Sequence, residues 1–372
     1  MTAQTQLQPA RPRLLEHDGS ADPAAITDAR DKVLRDDPQV LSELARRYRP
    51  RTVNHWLAAA AAGLWAFDVF VVLAVPDTSS FVVKGQTPVA IVATLITAVL
   101  GVIWAASASP ASALGARASH WLGTWAPWWV ALALFFLNWE LATAKAGALR
   151  PPYFPPPGQL LTEAWNDRVL LLQSIGNSII LLVIGFTVGA ITGLATGLWM
   201  GWSKRAGYWL NPIVKYIGPV PTLAWIPIVF IAFKNSSAAA IFLVALTVWF
   251  PITVLTNAGI RSVPKSYFDV CQTLGASGRF LIFKVSLPAA LPSIFTGLFM
   301  ALPTAFVTLT IAETLGVNSG LGWYINWKKG WSAYPAMYAA IAVMVVLCGS
   351  LLSLLLSIRT HVLAWQKDLT RW

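Results

Sequence analysis

Apolar runs of about twenty residues recur along most of this 372-residue chain. A helix of about 20 residues crosses the hydrocarbon core of a bilayer, where every backbone polar group needs an internal hydrogen bond. With 56% hydrophobic and 12% charged residues, the chain has too little polar surface to cover a soluble domain of this size. The sequence therefore predicts an all-α integral membrane protein, a polytopic helical bundle.

The predicted spans and the distribution of basic residues define a topology. We expect eight spans, over about 56–75, 88–107, 123–143, 172–200, 213–233, 238–259, 293–313 and 335–357. Roughly 14 Lys and Arg residues would lie on one side of the membrane and about seven on the other. Because basic residues accumulate in cytoplasmic loops, we expect both termini in the cytoplasm. The formal net charge of +11 therefore indicates orientation rather than a nucleic-acid partner.

Residues 1–55 are predicted to form a cytoplasmic N-terminal extension. Residues 1–25 have the composition of a disordered segment. After Asp37-Pro38, apolar residues recur at helical spacing up to Tyr48 and predict a short amphipathic helix. We expect this helix to lie on the membrane surface or to pack on the loops, rather than to regulate the protein. The extension lacks the pattern of a secretory signal, so the first span is expected to direct membrane insertion.

The sequence offers little for metal binding or catalysis. Cys271 and Cys348 are expected to be free thiols, one in the cytoplasm and the other within the membrane. The four histidines lie in separate segments and have no ligand spacing, so no metal site is expected. The sequence shows no clustered nucleophile or acid–base pair, and we therefore expect no catalytic residue.

Five glycines recur every four residues in the fourth predicted span. They are Gly185, Gly189, Gly193, Gly197 and Gly201. This spacing places them near one helical face, where small residues let two membrane helices approach closely. We favour static close packing over a helix that slides against its neighbour, and in either case the face should tolerate bulk poorly.

The fifth predicted span contains Pro219, Pro221 and Pro227. Interior prolines remove helix hydrogen bonds, and such breaks are tolerated where protein or a water-filled cavity covers the freed carbonyls. We expect this span to line a pathway through the membrane. A kinked structural helix is the alternative.

Three acidic residues fall inside predicted spans, namely Asp68, Glu140 and Glu313. Glu313 precedes a segment punctuated by Gly320 and Gly322, which we expect to form part of an outer gate. Asp68 lies in an early hairpin. Glu140 lies near an outer surface, where hydration or a Lys145 partner would explain it.

A polar segment, about 261–292, separates the sixth and seventh predicted spans. Pro264 suits the first turn of a helix, residues 267–274 can form two turns, and Gly275 can adopt the left-handed conformation that ends a helix. A second short amphipathic piece is expected to run to Leu287-Pro288. A short helix of this kind can insert into a groove on a partner. A surface-lying connector would not explain the glycine turn and the proline together.

Several motifs occur in a characteristic order. They are residues 218–227 (GPVPTLAWIP), 250–252 (FPI), 257–264 (NAGIRSVP), the polar segment, and Ala312-Glu313 before Gly320-Leu321-Gly322. On these motifs, residues 123–372 resemble the six-helix permease subunit of type I ABC importers, in the nitrate, sulfonate, taurine and bicarbonate group. Residues 56–122 would then form an additional transmembrane hairpin.

The resemblance implies that the polar segment couples the chain to an ATPase. The residues that would carry the coupling are Tyr267, Asp269, Val270, Cys271, Gly275, Val285, Leu287 and Pro288. Residues 269–271 (DVC) stand where the family has Glu-Ala-Ala. From the residues themselves, we assign Pro219, Pro221, Pro227, Glu313, Gly320 and Gly322 to the pathway or its gate.

The resemblance also implies a mechanism and partners. The chain would sit among the lipids of a bacterial inner membrane and take up a small anion such as nitrate, sulfonate, taurine or bicarbonate by alternating access. Its partners would be a cytoplasmic ABC ATPase subunit dimer, an extracytoplasmic solute-binding protein and a second permease subunit, expected to be identical. ATP and Mg²⁺ would bind the ATPase, because this sequence has no Gly-Lys dipeptide and so no phosphate-binding P-loop.

One alternative belongs to another class of protein, the ATP-independent secondary transporter. Such a transporter would use intramembrane charges, here Asp68, Glu140 and Glu313, to couple ion movement to solute movement. The coupling segment argues against this reading. Organic acids and nitrogen heterocycles are further substrates that the family resemblance leaves open.

Overall fold

The computed structural model describes residues 55–77, 86–107, 113–149 and 152–365. Except for its last residue, the predicted N-terminal extension with its amphipathic helix lies outside these residues. Within the described ranges the regular structure is helical. The helices are α1 His55–Ala74, α2 Gln86–Ser107, α3 Ala113–Glu140, α4 Pro157–Asn166, α5 Arg168–Trp202, α6 Lys204–Ile217, α7 Ile226–Ala232, α8 Ser236–Arg261, α9 Lys265–Thr273, α10 Gly278–Leu315, α11 Leu321–Gly330 and α12 Tyr334–Val362.

Six of the described helices are long and apolar enough to cross a membrane: α1, α2, α5, α8, α10 and α12. The pair α6 and α7 passes the same test together but is bent by 88°. Helix α3, where the third span is predicted over about 123–143, has 28 residues but is less apolar than the other six and does not meet the same criterion. Its tryptophans, together with Asn138 and Glu140, account for the difference.

The described residues within 1–61 and 99–130 form one compact unit, and those within 62–98 and 131–372 form another. In the first, Ala58, Leu122 and Ala126 are buried against each other. In the second, the core lies where α5, α8 and α10 pack. Leu243, Val248, Ala305 and other buried residues of these helices form it. Lipid is as apolar as such side chains, so close packing rather than water exclusion holds these helices together.

Helices α5 and α8 run parallel. Gly185 faces Val244 at one end of the pair, and Gly201 faces Ile260 at the other. Two parallel neighbours require the intervening chain to return to the starting side. The bent pair α6 and α7 lies between them in sequence and therefore crosses the membrane as one broken span. The predicted fifth span, 213–233, thus exists, but as two helices rather than one kinked helix.

Candidate functional site

The polar segment after α8 forms the short helix α9, as its sequence predicts. Pro264 precedes the helix in an extended conformation, rather than occupying its first turn. Gly275 has a φ of +80°, so the left-handed end that was predicted is confirmed. This conformation turns the chain from α9 into α10 within a few residues.

The second amphipathic piece predicted up to Leu287-Pro288 is not a separate element. Helix α10 begins at Gly278, contains a π-helical stretch Leu281–Ser286 and continues without interruption to Leu315. A proline ring clashes with the carbonyl four residues earlier in a regular helix. The wider π turns just before Pro288 make room for its ring, so the chain does not have to restart there. Val285, Leu287 and Pro288 are half-buried in this continuous helix.

Helix α9 is anchored on one side and open on the other. Phe268 packs edge-on against Trp202 at the end of α5, with ring centroids 6.1 Å apart. Tyr267, Val270 and Leu274 share another side and are exposed, Leu274 by 82%. Sequence reasoning did not single out Leu274, although its spacing from Val270 indicates the shared face. We call these three residues the exposed face of α9.

Of the other predicted coupling residues, Asp269 and Gly275 are exposed and Cys271 is half-buried. The structure therefore brings the α9 residues of the predicted set to one exposed helix. It places the remaining three, in α10, in a different environment. The set is two elements joined by the glycine turn.

The five spaced glycines of α5 all lie against α8. A methyl group built on Gly189 would lie 2.5 Å from the carbonyl oxygen of Ala245, and one on Gly193 would lie 2.9 Å from that of Trp249. Backbone atoms cannot move aside as a flexible side chain can. The close packing predicted from the glycine spacing is confirmed, and only glycine fits at this interface.

Polar side chains also join these helices. Thr196 of α5 and Thr253 of α8 share a hydrogen bond of 2.8 Å between their hydroxyl oxygens. The indole Nε1 of Trp249 donates to the same Thr196 hydroxyl at 3.1 Å. On the other side of α8, Thr247 and Thr308 of α10 share a hydrogen bond of 3.0 Å. Interhelical hydrogen bonds of this kind stabilise membrane helix pairs modestly.

The break between α6 and α7 opens onto a cleft of about 480 Å³, which we call the central cleft. Pro219 and Pro221 line it, as the sequence predicts for pathway residues, whereas Pro227 does not. The remaining walls come from α8 and α10 and are mainly apolar. Hydroxyl groups interrupt them at Thr222, Thr247, Thr304 and Thr308.

A second, more open cleft of about 950 Å³ adjoins the first, and we call it the basic cleft. Lys204, Lys215 and Arg261 line it. Only Pro219 and Phe250 line both clefts. A methyl group on Gly218 would lie 1.7 Å from the Phe250 ring, so the ring rests directly on the helix break. Phe250 thus lies at the boundary between the two clefts.

Glu313 is 1% exposed and lies outside both clefts. It accepts hydrogen bonds from the Ser178 hydroxyl at 2.6 Å and from the Gly322 backbone N–H at 2.8 Å. The Leu321 N–H donates to the same Ser178 hydroxyl at 2.9 Å. The carboxyl group therefore ties the start of α11 to α5, and nothing in the sequence indicates Ser178 as its partner.

The two glycines predicted beside Glu313 lie where there is no room for a side chain. Gly320 has a φ of +107°, and a methyl group there would lie 2.2 Å from the Glu313 carboxylate. A methyl group on Gly322 would lie 2.3 Å from the Thr310 carbonyl oxygen. Neither glycine lines a cleft. The motif thus builds a buried cap for α11, a contact that the prediction of an outer gate did not foresee.

A polar cluster near the start of α5 is absent from the sequence-based predictions. Asp167 accepts a hydrogen bond from the Tyr324 hydroxyl and forms a salt bridge with Lys328. Burial acts to raise the pKa of Asp167, but the hydrogen bonds from Lys328 and Tyr324 outweigh it and hold that pKa below its ordinary value. Burial and the Asp167 contact raise the pKa of Tyr324. The cluster holds α11 in place from its exposed side.

The sequence offered Lys145 as a partner for Glu140. Among the described residues, Lys145 forms its ion pair with Asp77 instead. Its ammonium group bonds instead to Asp77 Oδ1 at 2.9 Å, to the Val72 carbonyl at 3.1 Å and to the Val75 carbonyl. The π-helical turn Leu141–Lys145 after α3 carries the lysine to these partners. Glu140 therefore has only a longer-range attraction to Lys145.

Residues 185–364 match the family model described as binding-protein-dependent transport system inner membrane component. The chain is 31% identical over 170 residues to the bicarbonate transport system permease protein CmpB of Synechococcus elongatus. That alignment covers 42% of this chain and 59% of CmpB, so the chain spans about three fifths of that relative's length.

Two further relatives show a similar degree of likeness. The nitrate import permease protein NrtB of Leptolyngbya laminosa is 31% identical over 193 residues, covering 49% of this chain and 67% of NrtB. The taurine transport system permease protein TauC of Escherichia coli is 31% identical over 159 residues, covering 41% and 57%.

Among solved structures, an inward-facing form of the MetNI methionine ABC transporter superposes on this chain with a TM-score of 0.46. It is 18% identical and covers 53% of this chain and 98% of its own. The matched residues 185–364 include the broken span, the glycine face of α5, its neighbour α8, and α9. On the sequence matches, the chain belongs to the family of binding-protein-dependent transport system inner membrane components.

Proposed function

We propose that this chain is the membrane subunit of an ATP-driven importer. It would form the solute pathway and couple it by alternating access to ATP hydrolysis in a separate subunit. The observation that carries the proposal is the exposed face of α9. Its three side chains are exposed on a short, anchored helix, and such a helix suits a groove on another protein. The chain itself would perform no catalysis, and ATP and Mg²⁺ would bind the ATPase.

The charge distribution supports a cytoplasmic partner for α9. Basic residues crowd the end of the molecule at which α9 lies, and we name Lys204, Arg205, Arg261, Lys265 and Arg279. Basic residues favour the cytoplasmic side of a membrane. We therefore propose that α9 lies in the cytoplasm, where a dimer of ABC ATPase subunits would bind the exposed face. We also propose that both termini lie in the cytoplasm, which requires α3 to cross the membrane as well.

We expect Leu274→Asp to abolish binding of the ATPase subunit. A carboxylate at the centre of an apolar contact loses its hydration without gaining a partner, which costs several kcal/mol. The measurement is co-purification of the ATPase with the chain, followed by ATPase-dependent solute uptake. Gln272→Asp is the matched control, since it adds the same charge to α9 on the side opposite Leu274. Equal recovery of the ATPase with both variants would contradict the docking proposal.

The chemistry of the central cleft suits a small anion. Hydroxyl groups from three segments line it. Those of Thr247, Thr304 and Thr308 donate to backbone carbonyl oxygens of their own helices, so each would have to rotate away from its carbonyl to donate to an oxygen of nitrate, bicarbonate or a sulfonate such as taurine. The basic cleft beyond Phe250 would attract an anion that leaves toward the cytoplasm. The names of the relatives give the same class of solute, and competition among these anions in an uptake assay identifies which of them is carried.

Phe250 would act as a barrier between the two clefts. We expect Phe250→Ala to let the anion leak through proteoliposomes without ATP, several-fold faster than through wild type, since an apolar constriction blocks a pathway by excluding water. Phe242→Ala is the matched control, because Phe242 lies on the same helix but packs against Phe233, outside both clefts. Passive anion flux is the measurement. Unchanged flux in Phe250→Ala would remove Phe250 from the barrier.

The complete transporter would include further partners. We propose a second, identical permease subunit beside this one, and a solute-binding protein on the extracytoplasmic side of a bacterial inner membrane. The family description, which names binding-protein-dependent transport, supports the second partner. The rival reading, an ATP-independent secondary transporter, predicts uptake that persists when the ATPase cannot hydrolyse ATP. We expect uptake to stop under that condition.

A further inference from the structure

One wall of the basic cleft is a face of α6. The residues of this face recur at helical spacing and are Lys204, Tyr208, Asn211 and Lys215. Lys204 and Lys215 are eleven residues apart, so about 16 Å of helix separates their Cα atoms. Lys215 lies near Pro219, which also lines the central cleft. Lys204 therefore marks the end of the basic cleft away from the central cleft, and we call this end the mouth.

Arg261 reaches the mouth from α8. Its Nη2 donates a hydrogen bond of 3.3 Å to the carbonyl oxygen of Met200, near the end of α5. A methyl group built on Gly207, one helical turn after Lys204, would lie 3.0 Å from the same Nη2. The glycine leaves room for the guanidinium group, and the Met200 carbonyl holds it there. Arg261 and Lys204 therefore lie along the same stretch of the cleft.

The described residues do not neutralise these charges. No ion pair among them involves Lys204, Lys215 or Arg261. No acidic residue lines the basic cleft, and residues 169–268 contain no Asp or Glu. A guanidinium group has five N–H donors, and the bond to Met200 uses one of them. The mouth thus offers two positive charges and several unused donors.

An oxyanion is the ligand that this arrangement fits. A guanidinium group binds two oxygens of one anion side by side, and a neighbouring ammonium group adds a point charge. We propose that Arg261 and Lys204 form an oxyanion-binding site at the mouth, and that released solute bound there slows further uptake. A bound anion cancels part of the positive potential that draws the next anion past Phe250. The inference rests on the proposed function for the direction of transport and the class of solute.

Binding is tested on the purified chain in dodecyl maltoside at constant ionic strength. Sulfate should bind saturably by isothermal titration, and dimethyl sulfone, a neutral molecule of similar shape, at least tenfold more weakly. Lys204→Gln should lower the sulfate affinity severalfold. Gly207→Ala should do the same without any change of charge, because its methyl group displaces the guanidinium group. Arg205→Gln is the matched control and should bind sulfate like wild type, since Arg205 follows Lys204 on α6 but does not line the cleft.

Inhibition is tested with the complete transporter in proteoliposomes, with ATP and sulfate in the lumen on the α9 side. The initial uptake of labelled nitrate, bicarbonate or taurine, whichever is carried, should fall at least fivefold as lumenal sulfate saturates the site. In Lys204→Gln, the sulfate concentration that halves uptake should rise by the same factor as the dissociation constant. Each variant is compared with its own rate without sulfate, so a change in its basal uptake does not affect the result.

The proposal fails if sulfate does not bind, if it binds no more tightly than dimethyl sulfone, or if neither Lys204→Gln nor Gly207→Ala weakens its binding. Uptake that does not respond to lumenal sulfate would overturn the inhibitory role. Displacement of sulfate by short-chain phosphatidylglycerol, but by none of nitrate, bicarbonate and taurine, would assign the site to a lipid headgroup and overturn the inference. If sulfate binds as expected but the wild-type complex takes up no anion while it hydrolyses ATP, the proposed function fails and the oxyanion site stands.

Discussion

Replacing Gly189 with leucine is expected to abolish transport and most recovery of the assembled complex. A methyl group alone would lie 2.5 Å from the Ala245 carbonyl oxygen and 2.7 Å from Val248 Cβ, and leucine adds three more carbons. Overpacking a core costs about 1–3 kcal/mol where neighbours can shift, and more where they are backbone. Helices α5 and α8 would have to separate along their whole contact. The measurement is the monodisperse yield of the complex together with solute uptake.

Gly176→Leu is the matched control for this prediction. Gly176 lies on the same helix, but nothing lies within 4 Å of a methyl group built there. The same side chain should therefore leave yield and uptake close to wild type. Gly189→Ala should give a yield and an uptake between those of Gly189→Leu and Gly176→Leu, because a methyl group at position 189 forces a smaller clash than a leucine side chain. Normal yield and uptake in Gly189→Leu would show that α5 and α8 are not held at this distance in the working protein.

Glu313→Ala is expected to lower the thermal stability of the chain strongly and to reduce uptake with it. The substitution removes the acceptor for the Ser178 hydroxyl and for the Gly322 N–H and leaves a void. Hydrogen bonds to carboxylates contribute about 1.5–3 kcal/mol each, and buried donors left unpaired add to the loss. The loss of α11 anchoring should appear as a lower midpoint in fluorescence-detected thermal unfolding.

Graded variants separate this hydrogen-bonding role from a simple loss of charge. Glu313→Gln keeps the shape and one acceptor oxygen, so its midpoint should lie between those of Glu313→Ala and wild type. Glu163→Ala removes a carboxyl group of the same kind from α4 and should change little. If Glu313→Gln were as unstable as Glu313→Ala, the negative charge rather than the hydrogen bonds would hold α11.

Local patterns in the sequence predicted much of the architecture. The four-residue spacing of the glycines identified the close-packed face of α5, because a helix places such residues on one side whatever lies opposite. Gly275 was predicted as a left-handed helix end from its position alone, and its φ agrees. The prolines marked the place where the fifth span breaks. Such properties depend only on neighbouring residues.

Predictions that required a partner were less successful. Lys145 was offered to Glu140 because they are close in sequence, yet it bonds to Asp77, 68 residues away. Pro288 suggested a new helix start, but it lies inside α10, where the π turns just before it make room for its ring. Glu313 was assigned to an outer gate from the glycine-punctuated segment that follows it, and that role stays a prediction, but its contacts with Ser178 and Gly322 were not foreseen. In each case the sequence identified an unusual residue without identifying its neighbours.

By itself, the sequence determined that this chain crosses a membrane as helices, which face of α5 is smooth, and where a short exposed helix interrupts the spans. These follow from apolar length, periodicity and turn chemistry. Only the tertiary structure decided that α5 and α8 run parallel, that Phe250 separates two clefts, and that Ser178 meets Glu313 across 135 residues. The reason is physical: membrane helices offer many alternative apolar faces of similar energy, and close packing with hydrogen bonds selects one arrangement only when all the helices are present together.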